Sequence, residues 1–283
     1  MNSFESTPHV LRTYGDSTTI SWPCHSPFLM LDGFSKTEFT VPNDAGRPLV
    51  HDVYTKGDGP VLVLIQELPG IGPETLELAD RFVGRGFRVV MPHLFGPLGK
   101  LSVVPNLVRV MCMRREWAIL ASHRSSPVST WLRALCRHLK EQYEVPGVGV
   151  LGMCLTGNFG LSLLVDDAVL AGVASQPSMP LHRQDALHMS AEDVVTIRRR
   201  LDDLPPAMAF RFEKDVFCRA AKFEALESAF NGDRERVRLA TLPGRGHSVL
   251  TLDFVDEDGH PTREAFESVV GYFSEALAGS GPG

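Results

Sequence analysis

Short apolar runs alternate with segments of helical spacing over most of the chain. Val61–Gln66 and Phe87–Met91 are almost continuously apolar, which is typical of strands that are buried on both faces of a sheet. Between them, the apolar residues of Glu74–Arg85 fall near one side of a helix, and Gly86 ends that pattern. The alternation predicts the α/β class, with a mostly parallel central sheet flanked by helices on both faces.

The same two patterns continue through the rest of the chain. They predict further strands at Thr37–Val41, Leu49–Tyr54, Val148–Leu151, Ala171–Ser175, Ala207–Phe212 and Val237–Leu242, and further helices at Val128–Tyr143, Leu155–Val165, Leu187–Leu201, Phe217–Phe230 and Pro261–Leu277. Ligands of such sheets bind at the carboxyl ends of the strands. The turns that follow the strands are therefore the expected place for functional side chains.

Three parts of the chain lack this pattern. Residues 1–35 are rich in Ser, Thr and Pro, and we interpret them as an N-terminal arm that lies on the main domain or is partly disordered. Residues 36–278 form one predicted domain, and 279–283 a flexible tail. Within the domain, 101–126 mixes charged and apolar residues. It is interpreted as a cap or lid, or equally as a surface helix with a solvated charged face.

Composition argues against several classes of protein. Hydrophobic residues make up 43% and charged residues 22%, which is typical of soluble globular proteins. The net charge of −6 is unlike that of a nucleic-acid binder, and no polybasic membrane signal is present. No secretory pattern occurs at the start, and no apolar run reaches the about 18 residues that span a bilayer. We predict a cytoplasmic protein that binds neither nucleic acid nor membrane.

The cysteines are odd in number and scattered. None forms a CxxC pair, so neither a zinc site nor a disulfide framework is expected, and a reducing compartment suits them. The five are Cys24, Cys112, Cys136, Cys154 and Cys218.

One cysteine lies where a predicted strand runs directly into a helix. Gly152-Met153-Cys154-Leu155-Thr156 approximates the G-x-[S/C]-x-G turn, with Thr156 replacing the second glycine and Gly157 following it. In such a turn the side chain projects from the sheet, while the helix N-terminus and the next backbone N–H favour a thiolate and a developing oxyanion. By itself, Cys154 is equally well explained as a small apolar residue at a packed strand end.

Two candidate partners follow later strands in the chain. Asp215 comes after Ala207–Phe212, and His247 comes after Val237–Leu242. Alone, Asp215 reads as a helix N-cap and His247 as a surface histidine. Nucleophile, acid and histidine at strand ends, in that order, are the arrangement that a catalytic triad requires in this architecture.

The combination of motifs resembles the dienelactone hydrolase family, a branch of the α/β-hydrolase fold that uses Cys instead of Ser. The resemblance covers roughly Thr37 to Phe273. It is carried by Gln66-Glu67 with Pro69-Gly70-Ile71, Ala79-Asp80-Arg81 with Gly86-Phe87, Met91-Pro92-His93-Leu94-Phe95, Gly152-Met153-Cys154-Leu155, Asp215 and Gly246-His247-Ser248.

The resemblance implies a role for each matching residue. Cys154 is the expected nucleophile, His247 the base and then the acid, and Asp215 the residue that orients the imidazole. Glu67 matches the family's active-site glutamate, which interacts with the resting thiol and helps to control its ionisation. An acid at a buried strand end has a perturbed pKa and can exchange a proton with a thiol, whereas the alternative is a solvated loop acid.

The expected oxyanion hole consists of the backbone N–H groups of Leu68 and Leu155. The predicted reaction is hydrolysis of an ester, lactone or enol-lactone by a carboxylic ester hydrolase, through an acyl-cysteine and without a metal or other cofactor. Two alternatives remain: a cyclase or acyl transferase of specialised metabolism with the same triad, and a non-catalytic scaffold that binds a ligand. A small-molecule ester or lactone is the expected partner, and the chain is expected to be a monomer or homodimer.

This sequence departs from the family at the substrate site. The member that acts on dienelactone holds the substrate carboxylate with arginines, but neither the stretch 248–251 nor the loop 93–100 contains one. We predict a substrate that is larger or less anionic than dienelactone. The apolar mouth predicted for it consists of Leu94, Phe95, Leu98, Val249 and Leu250.

Overall fold

A mixed sheet of eight strands forms the centre of the described part of this computed structural model. The strands are β1 Ser35–Pro42, β2 Pro48–Lys56, β3 Val61–Ile65, β4 Arg88–His93, β5 Val148–Met153, β6 Val169–Ser175, β7 Ala207–Phe212 and β8 Val237–Leu242. They are ordered β1-β2-β4-β3-β5-β6-β7-β8. β1 and β4 each pair antiparallel with β2, and every other neighbouring pair is parallel. The carboxyl ends of β3 to β8 therefore lie along one edge.

The structure describes residues 31–43, 46–96, 98, 127–178, 186–187 and 189–278. Of the predicted arm, only its last five residues, 31–35, are described. The segment 101–126 and the tail 279–283 lie outside the described residues, so their interpretation stays a prediction.

Helices cover both faces of this sheet. Phe82 and Phe273, on the first and last helices, share one core cluster, whereas Trp131 and Phe230 belong to a second cluster. The α/β prediction is confirmed. The six helices of the described ranges are α1 Pro73–Val83, α2 Pro127–Gln142, α3 Gly157–Ser162, α4 Ala191–Arg200, α5 Ala220–Phe230 and α6 Pro261–Ala276.

β3 shows how the two clusters divide. Val61, Val63 and Ile65 pack in the cluster of α2 and α5, and Leu62 and Leu64 pack in the cluster of α1 and α6. Successive strand side chains point to opposite faces, so a strand that is covered on both sides must be apolar throughout. All five residues are completely buried, as the continuous apolar run predicts.

Two helices begin later than predicted because polar side chains set their starts. Ser190 caps α4: its hydroxyl accepts a hydrogen bond from Asp193 N (3.0 Å), and the Asp193 carboxylate accepts one from Ser190 N (3.3 Å). α5 starts at Ala220 rather than Phe217, because the N–H groups of Phe217 and Cys218 donate to Asp215 Oδ1 in a turn before it.

The predicted helix Leu155–Val165 is divided into three parts. 3₁₀ turns at Cys154–Thr156 and Leu163–Val165 flank the short α3. Close backbone packing accounts for the glycines here: a Cβ on Gly160 would lie 2.0 Å from the Val173 carbonyl oxygen, and one on Gly172 would lie 2.1 Å from the Gly160 oxygen. α3 therefore rests directly on β6, close behind the carboxyl edge of the sheet.

None of the helices described here is long and apolar enough to cross a membrane.

Candidate active site

Cys154 occupies a strained turn at the end of β5. Its φ of 54° lies in the left-handed region that side-chain-bearing residues rarely adopt, and such strain costs about 1–3 kcal/mol. The turn is tight enough that a Cβ on Gly152 would lie 2.2 Å from the Thr156 carbonyl oxygen. The thiol is thereby held, partly exposed, at the carboxyl edge of the sheet.

Thr156, at the position where the motif has glycine, is completely buried and braces this turn. Its hydroxyl accepts a hydrogen bond from Met153 N (3.1 Å). Its single proton is within reach of the carbonyl oxygens of Gln66 and Met153, each at 2.9 Å. Close packing requires glycine one position later instead, because a Cβ on Gly157 would lie 2.8 Å from Pro177 Cα. Thr156 therefore ties the turn to the end of β3.

Asp215 and His247 form a directed pair. Oδ2 of Asp215 lies 2.8 Å from Nδ1 of His247, and the carboxylate side chain is completely buried. Oδ1 accepts hydrogen bonds from Phe217 N (2.8 Å) and Cys218 N (3.0 Å). The aspartate thus orders the turn before α5 and also fixes the imidazole, with Nε2 on the opposite side of the ring.

The protonation of His247 depends on its neighbours Asp215 and Cys154. Burial by itself would lower the pKa of His247, but Asp215 and Cys154 together raise it to about 10. Nε2 is buried and has no well-aligned hydrogen bond to a described residue, although Cys154 is close enough to influence the ring. Both neighbours therefore favour the protonated form of the imidazole.

Asp253, a residue that the sequence patterns do not single out, binds the backbone around His247 through hydrogen bonds. Oδ2 of Asp253 accepts hydrogen bonds from the N–H groups of His247 (2.7 Å) and Ser248 (2.9 Å). Gly246 permits this approach, because its φ is 145° and a Cβ there would lie 2.9 Å from Asp253 Cγ.

Arg81 anchors the same loop to α1. Its Nη2 donates to the Leu250 carbonyl oxygen (2.9 Å), and its guanidinium lies 3.7 Å from the centre of the Phe254 ring. The motif Ala79-Asp80-Arg81 contains this residue, but sequence alone does not reveal its contact with a loop 169 positions later.

Glu67 follows β3 and is almost completely buried. Its Oε2 accepts hydrogen bonds from Ser248 Oγ (3.0 Å) and Gln176 Nε2 (3.3 Å), and its Oε1 accepts one from the Thr251 hydroxyl. Burial raises the pKa of Glu67 above its ordinary value, although these donors oppose the shift. Thr251, in the stretch 248–251 that contains no arginine, thus contacts this carboxylate directly.

The thiol itself contacts Ser178, a residue that the sequence patterns also do not single out. Sγ of Cys154 lies 3.4 Å from Oγ of Ser178, and the Ser178 N–H donates to the Cys154 carbonyl oxygen (3.0 Å). Ser178 is buried in the segment that follows β6.

The two predicted oxyanion donors belong to adjacent strand ends. Ile65 pairs with Gly152 in the sheet, so the residues after β3 and after β5 leave it side by side. Leu155 directly follows Cys154, and Leu68 directly follows Glu67. Their backbone N–H groups remain candidates because this pairing brings the two segments to the same edge.

The predicted apolar mouth divides into two sets. Leu94 and Phe95 are partly exposed after β4, where the buried Gln66 side chain accepts from Leu94 N (3.1 Å) and donates to the Phe95 oxygen (2.6 Å). Val249 and Leu250 are completely buried in the core cluster of α1 and α6, so they do not form an open mouth. These two side chains turn inward and fill the core, whereas Leu252 in the same loop is 58% exposed.

Two apolar side chains beside the triad are exposed instead. Phe217 has 55% of its surface exposed, and the centre of its ring lies 5.2 Å from that of His247. Val216, next to it, is 62% exposed. Leu98, the fifth predicted mouth residue, forms an isolated bridge with Ile71.

Within the described ranges, no group of three or more His, Cys, Asp and Glu side chains is arranged to hold a metal ion.

Comparison with known proteins gives one family. A sequence model of the dienelactone hydrolase family matches residues 51–277. No curated protein matches the sequence.

Several solved structures have a similar fold. One is a dienelactone hydrolase-like promiscuous phosphotriesterase from metagenomic libraries, with 15% identity and a TM-score of 0.54 over 86% of this chain and 99% of that chain. An esterase of Pyrococcus furiosus has 13% identity and a TM-score of 0.56 over 93% and 99% of the two chains. A cold-adapted esterase from an Arctic intertidal metagenomic library has 15% identity and a TM-score of 0.54 over 87% and 95%. At these identities the likeness shows the fold alone.

Proposed function

Because the chain belongs to the dienelactone hydrolase family and is a hydrolase of that type, we propose that it cleaves carboxylic esters, lactones or enol-lactones through an acyl-cysteine intermediate. The observation that carries this proposal is the pairing of His247 with the buried Asp215 at 2.8 Å, beside a cysteine held at positive φ. An imidazole that is oriented by a buried carboxylate, next to a partly exposed thiol, is the arrangement that nucleophilic catalysis requires.

Acylation begins with the Cys154 thiolate. Its electron pair forms a C–S bond to the carbonyl carbon, and the carbonyl electrons move to the oxygen, which the N–H groups of Leu68 and Leu155 stabilise. When the tetrahedral intermediate collapses, the C–O bond to the leaving group breaks and Nε2 of His247 gives that oxygen its proton.

Deacylation uses the same groups in the opposite sense. Acylation removes the negative charge from sulfur, so one of the two influences that raise the pKa of His247 is lost. The neutral imidazole then accepts a proton from water, and the hydroxide attacks the thioester carbon. The C–S bond breaks and its electron pair returns to Cys154.

The substrate in this proposal is less anionic than dienelactone. The stretch 248–251, where the member that acts on dienelactone has an arginine, contains Thr251, whose hydroxyl donates to Glu67. The exposed side chains beside the triad include Phe217, which is apolar and lies against the imidazole. An apolar surface next to two carboxylates favours a neutral ester with an apolar leaving group or acyl chain.

The test is a series of p-nitrophenyl esters of increasing acyl length, with intact-mass detection of the acyl-enzyme. We expect turnover and a single acyl adduct on Cys154. Cys154→Ala should abolish both while leaving the fold intact, and Cys154→Ser should retain little activity because a hydroxyl is far less acidic than a thiol.

Cys136→Ala is the matched control, because Cys136 is a completely buried thiol on α2. It should keep both the adduct and the turnover. Absence of turnover and adduct across all chain lengths would refute the proposal. A cyclised product would instead indicate a cyclase, and a transferred acyl group would indicate an acyl transferase.

A further inference from the structure

The segment after β6 connects two parts of the site. Gln176, at its start, has a φ of 36°, donates its backbone N–H to the Phe210 oxygen (2.7 Å) and reaches Glu67 through its side chain. Two residues later, Ser178 reaches Cys154 through both its backbone and its hydroxyl. The thiol and the buried glutamate are therefore contacted from one short stretch of chain.

Ser178 makes the contact with the thiol that the resemblance assigns to Glu67. The hydrogen bonds of Glu67 go to Ser248, Thr251 and Gln176, whereas the hydroxyl at 3.4 Å from Cys154 Sγ is that of Ser178. Ser178 is only 5% exposed, so its hydroxyl has little access to water.

The direction of this hydrogen bond follows from the charges. The contact itself allows either atom to be the donor. A thiolate can only accept a hydrogen bond, so Ser178 Oγ–H is the donor once Cys154 is ionised for attack. A hydrogen bond to an ionised acceptor is roughly twice as strong as a neutral one, and a buried hydroxyl without an acceptor is costly.

We propose that Ser178 is a catalytic residue whose hydroxyl donates a hydrogen bond to Cys154 Sγ whenever that sulfur is ionised, both before it attacks the substrate and as it leaves the acyl-enzyme. In deacylation the water proton goes to His247, the C–O bond forms and the C–S bond breaks. The electron pair goes to sulfur, where the Ser178 O–H meets it. This inference rests on the proposed function, since it takes Cys154 as the nucleophile.

Three substitutions isolate the hydroxyl. Ser178→Ala keeps the backbone hydrogen bond to the Cys154 oxygen. Ser178→Thr and Ser178→Val have nearly the same shape and differ in the hydroxyl, so this pair answers the question even if the alanine variant folds poorly. Ser268→Ala is the control, because the Ser268 hydroxyl on α6 donates to its own helix at Glu264 O (2.8 Å).

The first measurement is the rate at which iodoacetamide alkylates Cys154 as a function of pH, followed by intact mass. We expect Ser178→Ala and Ser178→Val to react about tenfold more slowly than the wild type at pH 6, since one charge-assisted hydrogen bond is worth about a factor of ten. All variants should react alike once the pH is high enough to ionise every thiol. Ser178→Thr and Ser268→Ala should follow the wild type.

The second measurement separates acylation from deacylation with p-nitrophenyl acetate. We expect Ser178→Val to retain the burst of p-nitrophenol and to lose about tenfold in the steady-state rate, because the leaving thiolate has lost its donor. Ser178→Thr should restore that rate, which a merely structural role would not require.

The outcomes distinguish the two proposals. If the wild type forms no acyl-Cys154, the proposed function fails and this inference fails with it. If acyl-Cys154 forms but the threonine and valine variants behave alike in both measurements, only the role of Ser178 is overturned.

Discussion

At the scale of single residues, the proposed chemistry depends on the charges of three neighbouring side chains, those of Cys154, Asp215 and His247. His247 is contacted by the Asp215 carboxylate and influenced by Cys154, and these two neighbours raise the pKa of the imidazole to about 10 against the effect of burial. In the proposed reaction the charge on sulfur disappears on acylation, so the same imidazole would change from acid to base. In this proposal, the charge on Cys154 Sγ determines whether His247 acts as an acid or as a base.

This shift predicts how stability depends on pH. An unfolded histidine has a pKa of about 6.5, so a folded pKa of about 10 means that the folded state binds the proton more tightly. The stabilisation is complete below about pH 6.5 and is lost as the pH rises through about 10. We expect the difference in free energy of unfolding between the wild type and His247→Gln to shrink between these limits, as measured by urea denaturation. A difference that grows with pH would contradict the assignment.

At the scale of elements, the site is built where strand ends are joined by side chains. The buried hydroxyl of Thr156 links the turn after β5 to the carbonyl oxygen of Gln66 after β3. Asp253 and Arg81 hold the loop after β8, from within that loop and from α1. These links turn separate loops into one rigid frame at the carboxyl edge.

Thr156 provides the sharpest test of that frame. Thr156→Val keeps the shape but leaves Met153 N and the carbonyl oxygen of Gln66 without their partner. We expect a loss of about 1–3 kcal/mol in the free energy of unfolding, because buried polar groups are left unsatisfied. We also expect a fall of at least about tenfold in kcat/KM, since the oxyanion donors move apart. Thr156→Ser, which keeps the hydroxyl, should recover most of both; a valine variant with wild-type kinetics would show that the link is dispensable.

Sequence reasoning anticipated the elements better than the links between them. The apolar run Val61–Gln66 predicts β3 because burial on both faces leaves a local pattern. The contacts of Ser178, Thr156 and Asp253 leave no such pattern, because each depends on how distant or turned backbone segments meet. Val249 and Leu250 show the same limit: their apolar character was evident, but whether they face the core or a substrate is decided by the path of the loop.

At the scale of the whole molecule, the fold bears the cost of the strained turn. Two buried core clusters and the close packing of α3 on β6 hold Cys154 at a φ of 54°, which costs about 1–3 kcal/mol for a residue with a side chain. The global stability therefore contains a local cost that serves the proposed chemistry.

That cost can be measured with two variants that are both expected to be inactive. Glycine tolerates positive φ, but its unfolded chain has more entropy, so the gain is smaller than the strain itself. We expect the Cys154→Gly variant to be more stable than the Cys154→Ala variant. The difference in the free energy of unfolding should be about 0.5–1 kcal/mol, as measured by urea denaturation. An alanine variant that is the more stable of the two would show that the turn carries no such strain.

The Gln66 side chain has a consequence for changing the substrate range by exchanging loops. It is completely buried and is bonded to the backbone of both Leu94 and Phe95, so the loop after β4 is fastened at its first two residues. A transplanted loop with a different backbone path would leave the buried Gln66 amide without these two hydrogen bonds. Grafting is therefore best confined to positions beyond Phe95, or done together with a matching replacement of Gln66.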